Sequence, residues 1–430
     1  MLRLWDECAN PAFASGHQGT WWGDPPQRRE TEIKAFLRSA PTGVVDVAAS
    51  RLFWLKTTVV LVFCIGLSMS SVLWIGPRSY PLAPVSSMLP VIDDIAARAM
   101  YVALFVLAAI CLVAPKPQWL IAAFLAVMAG FCLMDQTRWQ PWVFQYSFLL
   151  AVMALYSWNG GDAAGAKRTL NIARLIVATT YIYSGLQKLN PNFMENDFPW
   201  LVQPITRVVP ASVWLLHGLG MAAPFVQVAF GVGLLTRRFR RASLIAAVAM
   251  HLFILAMFGP FGLDWNNIVW PWTAAMAIFD ILLFSDTPDY SWREILWRRH
   301  DLCHVAAVVL FAMLPGLSFF NLWDSYLSAA LYSGNLTEAQ IYLSDAGKAS
   351  LPAAIASRLV HTSPDTNVLN LQRWAIEDLN VTPYPETRVY RAIARDLCGR
   401  LRDPAQLVLI VREQRMFLAR PELGYRCSQL

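Results

Sequence analysis

The chain has 430 residues, 56% of them hydrophobic and 15% charged, and a mean hydropathy of +0.42. Soluble domains carry about a quarter charged residues, so this composition excludes an ordinary soluble protein and predicts a polytopic membrane protein. The net charge of +6 is small for the length, and the basic residues cluster at the ends of apolar runs. That pattern is typical of membrane topology determinants and argues against a nucleic-acid-binding surface.

An amino-terminal arm, residues 1–51, is polar and rich in Pro and Gly. It contains no short basic-then-apolar signal peptide with a cleavage site, so the first apolar run is expected to remain as a helix. The apolar runs that follow are each roughly 15–23 residues long, enough to cross a bilayer with some tilt. They are 52–75, 99–114, 119–134, 142–158, 172–189, 212–235, 242–258, 268–284 and 304–320. The sequence therefore predicts an all-α membrane bundle of about nine transmembrane helices over residues 52–320.

The distribution of basic residues orients this bundle. Cytoplasmic loops of membrane proteins carry an excess of Lys and Arg, so the arginine-rich loop between runs six and seven is expected to be cytoplasmic. Alternation along the chain places other basic loops and the amino-terminal arm on the same side. The residues are Arg237, Arg238, Arg240 and Arg241, with Lys116, Lys167, Arg168, Arg293, Arg298, Arg299, Arg28, Arg29, Lys34 and Arg38. The amino terminus is then cytoplasmic, and the carboxyl-terminal part is extracytoplasmic.

The carboxyl-terminal part, residues 321–430, has the composition of a small α+β domain. A helix is expected at about 386–401 and a strand at about 406–411, after Asp403-Pro404. Cys398 and Cys427 both lie there, and an extracytoplasmic location would allow a disulfide between them. Two cysteines alone leave that pairing open.

Three unusual polar stretches follow runs three, five and seven, and the predicted topology brings them to the same side of the membrane. They are the segments 135–142, with Asp135, Arg138 and Gln140; 188–197, with Lys188 and Asn190; and 259–267. Polar groups that converge at one depth favour a membrane-embedded pocket. The alternative is that these loops are polar because they face water.

Lys188 ends a stripe on run five. Arg174, Tyr181 and Lys188 are spaced by seven residues and so share one helix face, and the small residues Ser184 and Gly185 allow a neighbouring helix or a ligand to approach closely. A lysine near a helix end can extend its stem to the lipid headgroups. In an apolar pocket, burial instead disfavours its charged form, and it can then act as a general base. The spacing leaves both interpretations open.

Three further features contain histidine or aspartate. His251, in the middle of run seven, is either an interhelical hydrogen-bonding residue or a proton carrier. Asp280, near the inner end of run eight, is interpreted as an interface residue. His300 and His304 have the spacing of a zinc-binding helix but lack the glutamate of His-Glu-x-x-His, so no metal site is expected.

The segment 181–193, Tyr-x-Tyr-Ser-Gly-x-x-Lys-Leu-Asn-x-x-Phe, resembles the signature of the HTTM superfamily, the membrane domain of vitamin K-dependent gamma-carboxylase and its bacterial relatives. His251 followed by Phe258 is similar to a later helix of that family. The segment 135–142, Asp-Gln-x-Arg-x-Gln-Pro-Trp, resembles a stretch in bacterial members. The resemblance covers residues 50–320.

The resemblance implies that Lys188 is the base that deprotonates a reduced, vitamin K-like quinone, and more loosely that His251 assists. Oxygenation of the quinol then yields a strong base that removes a glutamate γ-proton before CO2 adds. We assign the remaining candidates to the cofactor pocket: Tyr181, Ser184, Gly185, Asn190, Asp135, Arg138 and Gln140. Phe193 stands where the family usually has Trp, and the tail is short. The resemblance therefore supports a shared membrane fold and a lipophilic pocket more strongly than it supports glutamate carboxylation.

The leading prediction is therefore an integral protein of a bacterial inner membrane, with Lys188 as a general base toward a quinone-like or other lipophilic molecule at the outer face. If it is an enzyme, its reaction is of the carboxylase and oxygenase type. The alternative is a non-catalytic membrane subunit, such as a DoxX-type redox-complex component or an assembly or transport factor.

Overall fold

The computed structural model describes residues 43–89, 92–156, 163–285, 290–297, 301–414, 416 and 421–430. Most of the amino-terminal arm, including Arg28, Arg29, Lys34 and Arg38, lies outside the described residues. The same holds for Arg298, Arg299 and His300.

The described chain is mostly helical, and every predicted apolar run contains a helix. The helices are α1 Gly43–Met69, α2 Ser71–Trp74, α3 Asp94–Val113, α4 Gln118–Met134, α5 Pro141–Tyr156, α6 Ala163–Gln187, α7 Phe198–Leu201, α8 Gln203–Thr206, α9 Val213–Leu234, α10 Arg240–Phe258, α11 Val269–Phe284, α12 Trp292–Leu296 and α13 Leu302–Val308. A π-helical turn, Val309–Met313, and a 3-10 segment, Leu314–Phe320, continue α13. Helix α1 begins at Gly43, well before the apolar run expected at residue 52.

Five helical segments are long and apolar enough to cross a membrane, which fits an integral membrane protein. They are Val47–Met69, Asp94–Val113, Val213–Leu234, Arg240–Phe258 and Leu302–Phe320. Three further apolar helices are shorter: Gln118–Met134, Pro141–Leu155 and Val269–Phe284. The coarse prediction of a helical membrane bundle agrees with these helices, whereas the count of nine spans is not confirmed.

Helix α6 is long, with 25 residues, but too polar to meet the same criterion. Its residues 169–179 are all buried, so neighbouring helices enclose it. Polar side chains inside a bundle must find partners there. Arg174 does so, because its Nε donates to the Leu283 carbonyl oxygen at 2.8 Å and its Nη1 to Asn171 Oδ1 at 2.7 Å.

The tail is a small α+β unit, as predicted. Its strands are β1 Glu338–Leu343, β2 Val360–Ser363, β3 Thr366–Asn370, β4 Leu407–Arg412 and β5 Glu422–Arg426, and its helices are α14 Asp345–Ser350, α15 Ala353–Ala356, α16 Leu371–Leu379 and α17 Thr387–Arg400. The sheet is antiparallel in the order β2-β3-β1-β4-β5, with α16 packed on β1 and α17 on β4. The expected helix and strand are confirmed at α17 and β4, and a disulfide joins Cys398 to Cys427.

Helix α16 fastens the tail to the bundle. Asp378 Oδ2 accepts hydrogen bonds from the backbone N–H groups of Ser79 and Tyr80, each at 2.8 Å. Trp374 Nε1 donates to Ser79 Oγ at 2.9 Å. Just beyond α16, Asn380 Nδ2 donates to the Met69 carbonyl oxygen at 2.8 Å. One carboxylate thus satisfies two backbone donors of the loop after α2.

We expect Asp378→Ala to lower the free energy of unfolding by about 2–4 kcal/mol, because it leaves two partly buried N–H groups without an acceptor. Thermal unfolding and limited proteolysis in detergent measure the effect. Asp396→Ala is the matched control. Asp396 forms an exposed pair with Arg400 at 2.7 Å, and its loss is worth at most about 0.5 kcal/mol. Equal effects of the two substitutions would contradict the anchoring role of Asp378.

Candidate functional site

A cavity of about 530 Å³ lies among α6, α9, α10 and α11, at the end of the bundle that bears the tail. Its wall is largely apolar, with a few polar side chains. The polar and charged members of the lining are Thr180, Tyr181, Ser184, Lys188, Asp197, Gln227, His251, Thr273 and Tyr332. An apolar chamber with a few converging polar groups is the usual form of a small-molecule site.

Lys188 lies in this cavity and is partly buried. Its Nζ donates to the carbonyl oxygen of Ser184 at 3.0 Å, contacts Ser184 Oγ at 2.6 Å and lies 3.2 Å from Gln227 Oε1 on α9. Ser184 precedes Lys188 by about one helical turn. The side chain therefore turns back along α6 into the bundle instead of extending beyond the helix end.

The two small residues on α6 have different roles. Ser184 lines the cavity and binds Lys188, whereas Gly185 allows α9 to approach. A Cβ at Gly185 would lie 2.7 Å from Val228 Cγ2 and 2.8 Å from the Pro224 carbonyl oxygen. Gly231 on α9 faces Tyr181 and Ile182 in the same way. Small residues at these positions permit the close α6–α9 contact that forms one wall of the cavity.

Asn190 is buried but does not line the cavity. Its Nδ2 donates to the carbonyl oxygens of Ser333 at 2.7 Å and Gln187 at 2.8 Å. Gln187 in turn accepts from Asn335 Nδ2 at 2.7 Å. Asn190 and Gln187 thus tie the end of α6 to the loop before β1, and Lys188 lies between them in sequence.

Asp135, Arg138 and Gln140 form a separate buried group away from the cavity. Arg78 lies 2.7 Å from Asp135, and the Nε, Nη1 and Nη2 groups of Arg138 donate to the carbonyl oxygens of residues 73, 131 and 74. Burial alone would raise the pKa of Asp135, but the guanidinium groups of Arg78 and Arg138 and hydrogen bonds from Thr137 hold that pKa below its usual value. Gln140 Nε2 donates to the Thr382 carbonyl oxygen at 2.9 Å. This group holds the loop between α4 and α5 and contacts the tail.

His251 meets two side chains from other helices. Tyr181 Oη lies 2.7 Å from His251 Nε2 and donates to Asp280 Oδ2 at 2.7 Å. Asp280, interpreted from the sequence as an interface residue, has a side chain that is fully buried in the bundle. Its position in an apolar run was a signal, since a carboxylate inside a membrane helix is a functional candidate by default.

Aromatic residues cover the tail-facing end of the cavity, and of these only Phe258 stood out in the sequence. Trp200 stacks on Tyr332 at 6.2 Å between ring centroids, and Phe258 contacts both rings. Asn266 Nδ2 donates to Tyr332 Oη at 2.6 Å. Segment 188–197 therefore supplies Lys188 and Asp197 to the cavity wall, and segment 259–267 reaches the aromatic cover through Asn266, whereas segment 135–142 does not line the cavity.

The cavity is open along an apolar face of the bundle. Leu219 and Val226 on α9 and Phe253 on α10 line it, yet they are 48%, 57% and 37% exposed. In a membrane, exposed apolar helix faces contact lipid chains. The opening therefore suits a molecule that enters from an apolar phase.

Comparisons with protein-family models, with curated proteins and with solved structures gave no match. Within the described ranges, no three His, Cys, Asp or Glu side chains are grouped so that they could hold a metal ion. His304 is buried. His300, the other histidine of the zinc-like spacing, lies outside those ranges. The geometry of the cavity is thus the basis for the assignment of function.

We expect Gly185→Ala to lower the free energy of unfolding by about 1–3 kcal/mol, because its methyl group overlaps α9. Gly218→Ala on α9 is the control, since a Cβ there meets no atom within 4 Å. Alanine is the better helix former, so the control is neutral or stabilising. Thermal unfolding in detergent compares the two. A similar response of both variants would show that the α6–α9 contact is not tight.

Proposed function

We propose that this chain is an integral membrane protein that binds a lipophilic, quinone-like molecule in the cavity and uses Lys188 as a general base toward it. The observation that carries the proposal is the position of the Lys188 amino group inside a largely apolar cavity, at the level of Ser184. The resemblance of segment 181–193 to the HTTM superfamily points to the same lysine.

The direction of the side chain favours the base over the headgroup-reaching alternative. A lysine that extends to headgroups directs its ammonium away from the bundle interior. Lys188 does the opposite, and the hydrogen-bonding groups around its Nζ, on Ser184 and Gln227, are neutral. Burial favours the uncharged amine, the form that can accept a proton, and outweighs the opposing effect of the Asp197 carboxyl group, which also lines the cavity.

The hydrogen-bonding geometry is compatible with that uncharged form. Two N–H bonds of a neutral amine can be directed to the Ser184 carbonyl oxygen and Gln227 Oε1. The remaining lone pair is then available to the Ser184 hydroxyl group or to a bound hydroxyl group. A bound quinol would supply such an ionisable hydroxyl. Ser184 and Gln227 would orient the amine, and the aromatic cover would exclude water.

The lining fits a lipophilic ring in size and chemistry. A volume of about 530 Å³ is within the usual range for small-molecule sites, and Phe230, Phe258 and Trp272 supply aromatic surface. The apolar opening would let an attached hydrocarbon chain remain among lipids. Carboxylation coupled to quinol oxygenation is the reaction that the resemblance implies, and it stays a prediction.

We further propose that the tail is extracytoplasmic in a bacterial inner membrane, with the amino terminus in the cytoplasm. The Cys398–Cys427 disulfide supports this location, because disulfides persist mainly in oxidising compartments. Reporter fusions after Arg241 and after Phe320 are expected to be cytoplasmic and extracytoplasmic, respectively.

The base role of Lys188 is tested with a 2-hydroxy-3-alkyl-1,4-naphthoquinone, whose visible absorption changes when its hydroxyl group ionises. We expect the wild-type protein in nanodiscs to bind this probe in its ionised form even at pH values low enough for the free probe to keep its proton. Lys188→Ala should weaken binding about tenfold or more, because it removes a hydrogen bond to a charged partner. Lys188→Arg should bind without serving as a base, since arginine stays protonated.

Lys167→Ala is the matched control on the same helix. Lys167 forms an exposed ion pair with Glu294 at 3.0 Å, far along α6 from the cavity, so the substitution should leave probe binding unchanged. Unchanged binding and ionisation in Lys188→Ala would refute the base role. Full function of Lys188→Arg in cells would favour the non-catalytic alternative. Mass spectrometry of lipophilic molecules that co-purify with each variant identifies the natural ligand.

A further inference from the structure

A second polar site lies in the wall of the same cavity, about two helical turns from Lys188 along α6. Tyr181 from α6, His251 from α10 and Asp280 from α11 meet there through two hydrogen bonds of 2.7 Å, both to the Tyr181 hydroxyl group. The three side chains are almost completely buried. Tyr181 and His251 line the cavity, and Asp280 lies behind Tyr181.

We propose that His251, Tyr181 and Asp280 form a proton-holding chain that takes up one proton at His251 and stores it on the Asp280 carboxyl group. The chain would accept that proton from a hydroxyl group of the molecule bound in the cavity, and this last clause rests on the proposed function.

The hydroxyl group of Tyr181 has one hydrogen, which limits the chain to two arrangements. With Asp280 ionised, Tyr181 donates to Asp280 Oδ2 and accepts from the Nε2–H group of His251. With Asp280 protonated, its hydroxyl donates to Tyr181, Tyr181 donates to Nε2, and the imidazole hydrogen is on Nδ1. One proton added at Nδ1, with two hydrogens shifted along the chain, converts the first arrangement into the second. The charge of the site changes from −1 to 0, and the ligand becomes an anion.

Both ends of the chain have unused hydrogen-bonding capacity. His251 Nδ1 and Asp280 Oδ1 are buried and have no hydrogen-bonding partner among the described residues. His251 Nδ1 is the atom at which the added proton would bind. Unpaired buried polar atoms are costly, so they indicate a group that changes state or takes a further partner.

The charge of Asp280 is poorly compensated in the ionised arrangement. The nearest cationic candidate is His251, whose Nε2 lies 3.9 Å from Asp280 Oδ2. A buried carboxylate without a close counter-charge is strongly disfavoured in an apolar medium. Uptake of one proton by the chain removes that penalty.

The other titratable groups on the surrounding helices form no hydrogen bond with these three side chains in the described part of the chain. On α6, Arg174 binds the Leu283 carbonyl oxygen, and Lys188 binds Ser184. On α5, Tyr146 contacts Phe279 at 6.2 Å between ring centroids. The face of α9 toward the cavity supplies Phe230 and Gln227, which do not titrate. Besides Tyr181 and His251, the titratable groups that line the cavity are Lys188, Asp197 and Tyr332, whose charges would also act on the site.

Lys188 and the His251 chain would accept protons at two different levels of the cavity, and this limits which ligands can reach both. Tyr181 and Lys188, which directly follows α6, are seven positions apart, which corresponds to about 10 Å along the helix axis. A lipophilic ring that carries ionisable hydroxyl groups at opposite ends suits this arrangement. Lys188 would then act at one end, and the His251 chain at the other.

Infrared difference spectroscopy of the full-length protein in liposomes, without added ligand, tests the chain directly. We expect the C=O stretching band of a protonated carboxyl group to change with pH and to be absent in Asp280→Asn. Tyr181→Phe removes the hydroxyl link and should move the titration midpoint of that band by about one pH unit or more. His251→Gln should also move it.

Tyr146→Phe is the matched control, because Tyr146 is a buried tyrosine whose hydroxyl has no hydrogen-bonding partner in the described part of the chain. It should leave the midpoint unchanged. Circular dichroism verifies that each variant folds. A carboxyl band that ignores pH, that survives Asp280→Asn, or that responds alike to both tyrosine substitutions would overturn the proposal.

The naphthoquinone probe separates failure of this inference from failure of the proposed function. If the chain accepts protons from the ligand, the Asp280→Asn protein should bind the probe with a smaller ionised fraction than the wild type. A bound probe whose ionised fraction is the same in both proteins overturns the ligand-coupled step. Absence of probe binding refutes the proposed ligand class, while the infrared titration still decides whether the chain holds a proton.

Discussion

The structure depends on the enclosure of α6, because polar groups inside a bundle have no water to pair with and must find partners in the protein. Arg174 is paired at one level of this helix, Tyr181 at the next, and Lys188 with Ser184 at its end. Each level meets a different part of the bundle: Arg174 contacts α11, Tyr181 contacts α10 and α11, and Lys188 contacts α9. The buried polar side chains of α6 therefore connect it to three neighbouring parts of the bundle.

The cavity combines two demands that conflict in most soluble sites. Its apolar lining and open side suit a molecule that partitions into lipid, whereas its few polar groups suit proton transfer. The glycines at the α6–α9 contact let these two helices pack closely and form one wall of the cavity. Proton acceptors in such a medium act without competition from water, which strengthens their electrostatic effect on a bound hydroxyl group.

Local patterns predicted much of the fold. Each long helix contains one of the predicted hydrophobic runs. The spacing of seven residues placed Tyr181 and Lys188 on one helix face, and both line the cavity. The errors arose where a partner comes from distant sequence. The position of Asp280 along its apolar run indicated how deep it lies in the bundle, but not that its side chain faces α6. Gln140 donates to a carbonyl group in the tail, 242 residues away in the sequence. The aromatic cover joins three separate segments, so no local pattern could reveal it.

The bonds at the end of α6 also have a mechanical consequence. Gln187 and Asn190 bracket Lys188, and both are hydrogen-bonded to residues 333–335 of the tail. Hydrogen bonds to the loop before β1 therefore hold the chain on both sides of Lys188. A contact that displaced this loop would therefore act on the cavity through positions one and two residues from Lys188. Any binding to this loop that shifted these hydrogen bonds would be thermodynamically linked to binding in the cavity, and each would change the affinity of the other by the same factor.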